Sequence, residues 1–160
     1  MGFMSPETMS SDLVFIIPTD DVFVFGLLSS SMHMAWMRAV AGRLKSDYRY
    51  SAKVVFNNFP WPTGANEKAK SAVNDAATHV LKVRKGFTDC SLADLYDPLS
   101  TPKALVDAHN KLDRAVDKCY RGRSFENERL RLKFLFELYK AETSPLTATK
   151  NGRKRRTAKA

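Results

Sequence analysis

Between Gly42 and Ser51 the chain reads Gly-Arg-Leu-Lys-Ser-Asp-Tyr-Arg-Tyr-Ser, which sets Arg43, Lys45, Asp47 and Arg49 at alternating positions around two tyrosines. In an extended strand or loop, alternate side chains project from one face, so this spacing predicts a face bearing charges of both signs. Such a face suits base reading. Lysine or arginine donates to O6 and N7 of guanine, and aspartate accepts from the N4 amino group of cytosine. Lys45 and Asp47 therefore supply the donor and acceptor needed to read one G·C pair from the major groove. The same residue types also describe an ordinary solvated strand end, and by themselves they leave that alternative open.

Catalytic chemistry is not legible elsewhere. His33, His79 and His109 are scattered without the spacing of a metal-binding pair, so each is expected to be a packed or surface residue. The chain contains no G-x-S-x-G, no phosphate-binding glycine loop and no glycine-rich turn after a strand. Asn58-Phe59-Pro60-Trp61 invites comparison with the Asn-Pro-Pro-aromatic motif by which amino-methyltransferases hold a flipped base, but Phe59 replaces the first proline. The segment reads better as a rigid aromatic-proline hinge. No catalytic, cofactor-binding or metal-binding residue is assigned.

Composition bounds the setting. No apolar run approaches the roughly 20 residues of a membrane span, and Met1 to Ser11 lacks the basic and apolar regions of a secretory signal. Cys90 and Cys119 stand in no metal spacing and suit a reducing compartment, which makes the cytoplasm the expected location. The formal charge is +9, and Lys150, Arg153, Lys154, Arg155, Arg156 and Lys159 supply most of it from a tail without acidic residues. Residues 143–160 are therefore expected to be disordered and able to neutralise phosphates without sequence preference.

The elements that must carry the charged decapeptide read as α+β and mainly helical. Asp12 to Ile17 predicts a short buried strand ended by Pro18. Asp20 or Asp21 can cap a helix in which Phe25, Leu28, Met32 and Trp36 recur at helical spacing up to Gly42. Tyr50 to Phe56, with Val54 and Val55, predicts a second strand, and the proline-rich stretch after Phe59 marks a domain boundary. Beyond it, helices are expected from Asn66 to Lys85, after Ser91 as a short capped turn, from a Thr101 cap and Pro102 to Gly122, and from Ser124 onward. The last of these is apolar on more than one side, which predicts a central place in the bundle. The resulting division is a flexible 1–11, a recognition piece 12–62, a helical domain 63–142 and a basic tail.

Ser31-Met32-His33-Met34-Ala35-Trp36, the charged decapeptide and Asn57 to Pro62 together resemble the end of the target-recognition domain in MmeI-like restriction-modification enzymes. Ser91 to Leu99, Leu112 to Asp117 and Phe134 to Tyr139 are similar to the helical C-terminal domain that follows in that family. The resemblance covers roughly residues 12 to 140 in the family's order. It implies an adenine DNA methyltransferase/endonuclease whose nuclease, S-adenosylmethionine and base-flipping parts lie upstream, so that S-adenosylmethionine and magnesium belong to the full-length enzyme and this segment is not catalytic by itself. It implies base recognition by Lys45, Asp47 and Arg49; Arg43, Tyr48, Tyr50 and Lys53 suit DNA-backbone contact. Double-stranded DNA and the rest of the parent enzyme are the implied partners. Exposed strand edges would also permit a homodimer, and no membrane is involved. The competing class is a helical scaffold or docking module that touches nucleic acid only through its basic tail.

Overall fold

In the computed structural model, which describes residues 1–11 and 14–152 (145–152 by backbone alone), the helical stripe before Gly42 forms two helices. Asp21 caps α1 (Val22–Leu28), its carboxylate accepting from the Phe23 N–H at 2.7 Å. A fresh start follows at Ser29-Ser30-Ser31, because serine hydroxyls compete for backbone groups and favour helix ends. Buried Ser30 donates to the Leu27 carbonyl at 2.6 Å and accepts from the His33 N–H at 3.5 Å, closing α1 and capping α2 (Ser31–Val40). Strands β1 (Gly42–Leu44) and β2 (Asp47–Arg49) then pair antiparallel.

Two strand expectations fail. From Val14 to Ile17 the chain is irregular, and Val14, Phe15 and Ile16 are about half exposed; Asp12 and Leu13 lie outside the described residues. No strand among the described residues runs beside this segment, and β-propensity without a pairing partner does not make a strand. Tyr50 to Phe56 forms instead a single π-helical turn, Ala52–Phe56. The Asn58 amide donates to the Lys53 and Val54 carbonyls at 2.7 and 3.1 Å, and the Trp36 indole N–H donates to the Val55 carbonyl at 3.0 Å. Side chains thus take the carbonyls that a strand would have given to a neighbour.

The helical half follows its caps closely. Asn66 accepts from the Ala69 N–H at 2.9 Å to open α3 (Glu67–Lys85), and Ser91 and Asp94 form a reciprocal capping box on α4 (Leu92–Leu95). α5 (Lys103–Arg121) begins after Pro102, one residue later than a Thr101 cap would give, and ends on Gly122, whose φ of 72° is the left-handed conformation that glycine adopts freely. α6 (Glu128–Gly152) starts later than Ser124. Asp117 on α5 holds the Phe125 N–H at 2.9 Å in a non-helical turn, and Asn127 supplies the cap by accepting from the Leu130 N–H at 3.0 Å.

α5 is the central helix, packed on α3, while α1 packs on α3 and α2 on α6. Leu105, Leu112 and Val116 of α5 meet Val73 and Val80 of α3 with no exposed surface. α6, expected at the centre, lies to one side: Leu135 is fully buried but Phe136 remains 41% exposed beside Trp36. Three apolar residues in a row, 134–136, cannot all face one way on a helix: Phe134 packs on Phe125 and Tyr120, Leu135 is buried, and Phe136 is left partly open. The backbone of α6 runs through residues 143–152 of the expected tail, and 153–160 lie outside the described residues.

Candidate nucleic-acid interface

The hairpin is the most exposed element of the fold: every residue from Gly42 to Tyr50 is exposed. Its base is fixed on both sides. α2 delivers β1 directly from Ala41, and the π-helical turn after β2 is held to α2 by the Trp36–Val55 hydrogen bond. A small two-stranded element is only marginally stable alone, so these anchors give it a defined position on the helices.

The register revises the expected alternation. Pairs Gly42–Arg49, Arg43–Tyr48 and Leu44–Asp47 face each other, with Lys45 and Ser46 as the turn. Directly opposed residues share a face, and the two-residue turn changes the parity between strands. Asp47 and Arg49 therefore lie on one face and Arg43 with Tyr48 on the other, while Lys45 stands at the tip. The four charges do not form one row. Arg43 is committed locally: its guanidinium lies 4.3 Å from the centroid of the Tyr48 ring, donates to the Tyr48 hydroxyl at 3.0 Å and to the Ser46 carbonyl at 3.2 Å. Lys45 has a φ of 56°, a left-handed backbone that non-glycine side chains adopt at a cost of about 1 kcal/mol.

The remaining expected contacts divide. Lys53 is exposed on the π-helical turn. The Tyr50 hydroxyl lies 3.1 Å from His33 Nε2, and its ring packs on Phe15. His33 is buried, and burial lowers its pKa to about 4, so it is neutral at physiological pH. The Asn58 to Trp61 segment is packed into the fold: Phe59 and Pro60 are buried, Trp61 packs edge-on to Phe56 and Phe59, and the Pro60 carbonyl accepts from the Tyr120 hydroxyl of α5 at 2.9 Å.

One cluster escapes the sequence pattern. Tyr96, His109 and Arg84 come together from the C-cap of α4, from α5 and from α3, with the Tyr96 hydroxyl 2.6 Å from both His109 Nε2 and Arg84 Nε. Burial, then the Arg84 charge, lowers the His109 pKa. Their separations in sequence carry no periodic signal, and only the packing of three helices joins them. Among the described residues no group of His, Cys, Asp or Glu is placed to hold a metal ion, and no helix is long and apolar enough to cross a membrane. Cys90 is exposed and Cys119 buried, both as free thiols.

Residues 1–63 match the family model described as MmeI, target recognition domain, and residues 65–147 that described as MmeI, C-terminal domain. The chain belongs to the MmeI family. It is 41% identical over 145 residues to DNA methyltransferase A of Bacillus subtilis (strain 168), an alignment covering 89% of this chain and 16% of that protein. It is also similar to the solved type IIL restriction-modification enzyme MmeI in complex with DNA, with 50% identity and a TM-score of 0.75 over 80% of this chain and 17% of that one. The chain thus spans about a sixth of the length of these relatives. The exposed hairpin falls inside the part matched to the MmeI recognition domain, and α3 to α6 fall almost wholly inside the part matched to the MmeI C-terminal domain. Their seam follows the aromatic-proline hinge, yet one apolar core runs across it from Leu27 and Trp36 to Leu112 and Leu135.

Proposed function

We propose that this chain is a DNA-reading and C-terminal part of a restriction-modification methyltransferase/endonuclease that modifies adenine at N6. The observation that carries this is the anchored, wholly exposed hairpin lying within the segment matched to the MmeI recognition domain. Double-stranded DNA is the partner in this reading, which the solved complex of MmeI with DNA supports. Lys45 at the tip donates to guanine and the adjacent Asp47 accepts from cytosine of one G·C pair. Arg49, two residues along the Asp47 face, reaches a neighbouring base edge. Arg43, Tyr48, Tyr50 and Lys53 contact phosphates and set position and affinity. Lysine in a left-handed turn where glycine would be unstrained supports a role for its side chain. Catalysis, with S-adenosylmethionine and magnesium, is assigned to other segments of the parent enzyme, in the cytoplasm.

Selection of bound duplexes from a randomised library tests this. The unaltered chain is expected to enrich a sequence containing a fixed G at one position, and exchange of Lys45→Glu with Asp47→Arg to move that preference from G towards C on the same strand. Each lost base contact should reduce discrimination by roughly 1–3 kcal/mol. An exchange that leaves the selected sequence unchanged while binding persists would reduce the pair to ordinary solvated surface charges.

A further inference from the structure

His33 lies in the first turn of α2, 2% exposed, with its ring edge-on to Phe59 at 4.7 Å. Its Nε2 is 3.1 Å from the Tyr50 hydroxyl, whereas Nδ1 is buried with no hydrogen-bond partner among the described residues. A neutral imidazole carries a proton on one nitrogen and a lone pair on the other. Buried N–H groups without an acceptor are rarer than unmatched acceptors, so the unpartnered Nδ1 is the nitrogen that lacks the proton. Nε2–H then donates to Tyr50 Oη, and the Tyr50 hydroxyl keeps its own proton for another acceptor.

Tyr50 follows β2 immediately, is 38% exposed, and is braced by Phe15 with ring centroids 6.1 Å apart. Resting on the DNA-reading function proposed above, we infer that His33 is a positioning residue: by donating from Nε2 to Tyr50 Oη it directs the Tyr50 O–H outward, to donate to a DNA phosphate oxygen at the base of the hairpin. The imidazole remains neutral through burial, so the orientation holds at physiological pH. A phosphate oxygen suits this donor because it accepts from hydroxyls without demanding a particular base.

The experiment combines the ¹⁵N signature of the His33 ring with duplex affinities of the full chain. The Nε2–H tautomer is expected. Tyr50→Phe should weaken binding to every sequence about tenfold, the size of one hydrogen bond to a charged acceptor. His33→Met should weaken it similarly alone and add little in the Tyr50→Phe background, whereas His33→Gln, whose amide keeps a donor, should recover most of the loss. An Nδ1–H tautomer, or a Tyr50→Phe chain that binds as tightly as the parent, would overturn the inference; both readouts stand even where His33→Met fails to fold. If Tyr50→Phe has no effect while the Lys45 and Asp47 exchange still shifts the selected base, His33 loses its role and the DNA-reading function stands. If the chain binds no duplex, both fall.

Discussion

The hairpin tip and the α5–α6 junction use the same residue types for opposite ends. At the junction, Asp117 is 1% exposed and accepts from Arg131 Nε and a terminal nitrogen at 2.9 Å each, as well as from the Phe125 N–H. Both carboxylate oxygens have assigned donors, and the pair fixes where α6 leaves α5. At the tip, Asp47, Lys45 and Arg49 stand in water without such commitments to the core. Burial makes a charge structural, because an unpaired one would be costly there; exposure keeps it available to a ligand.

The contrast predicts graded effects. Asp117→Ala would take both of these hydrogen bonds from Arg131 and leave the Phe125 N–H without its acceptor, and should cost about 3–5 kcal/mol in urea unfolding. A small loss would show that the junction is no more structural than the tip.

His33 should make stability depend on pH. The folded chain holds its pKa at about 4, below the ordinary 6.5, so the unfolded chain takes up the proton first as pH falls. Its contribution is therefore complete above about 6.5 and disappears progressively down to about 4. The total is about 3 kcal/mol, read as the difference between the parent and His33→Gln unfolding curves.

Packing supplies the third test. A Cβ on Gly26 would stand 2.8 Å from Val73 Cγ1 and 3.1 Å from the Ala77 methyl, so Gly26→Ala should destabilise by about 1–2 kcal/mol despite the better helix propensity of alanine. A rise in thermal midpoint would mean that α1 and α3 can separate without cost.

At the tip the effects on folding should be small or reversed. Lys45→Gly relieves the left-handed turn and should stabilise the fold by up to about 1 kcal/mol while abolishing discrimination at one base position. Arg43→Ala should change stability by less than about 0.5 kcal/mol. It should weaken all duplexes alike and flatten the salt slope by about one unit. A binder that acts only through its basic tail would instead lose cognate and random duplex together as salt rises, whatever stands at Lys45.

Much of this was readable from local chemistry. Asp21, Asn66, Ser91 and Gly122 mark helix ends through groups within four residues of them, and tertiary contacts seldom override such short-range bonds. The family resemblance was likewise carried by contiguous residues. Segments whose form depends on distant partners were misread. Val14 to Ile17 has the composition of a strand but nothing to pair with, and Val54-Val55 joins a π-helical turn because Trp36 and Asn58 take its carbonyls.

The sequence by itself determined which charged and aromatic residues are gathered in the decapeptide, where the helices of the C-terminal half begin within a few residues, and which family the chain resembles; the end of α6, ten residues beyond the expected 142, was not legible in it. Only the tertiary structure decided how those residues are presented. A two-residue turn separates Arg43 from Asp47 and Arg49 by reversing strand parity, a register property that depends on pairing across the hairpin. The placement of His33 beneath Tyr50 likewise required α2 and the hairpin exit to meet, an encounter set by packing between elements rather than by spacing along one.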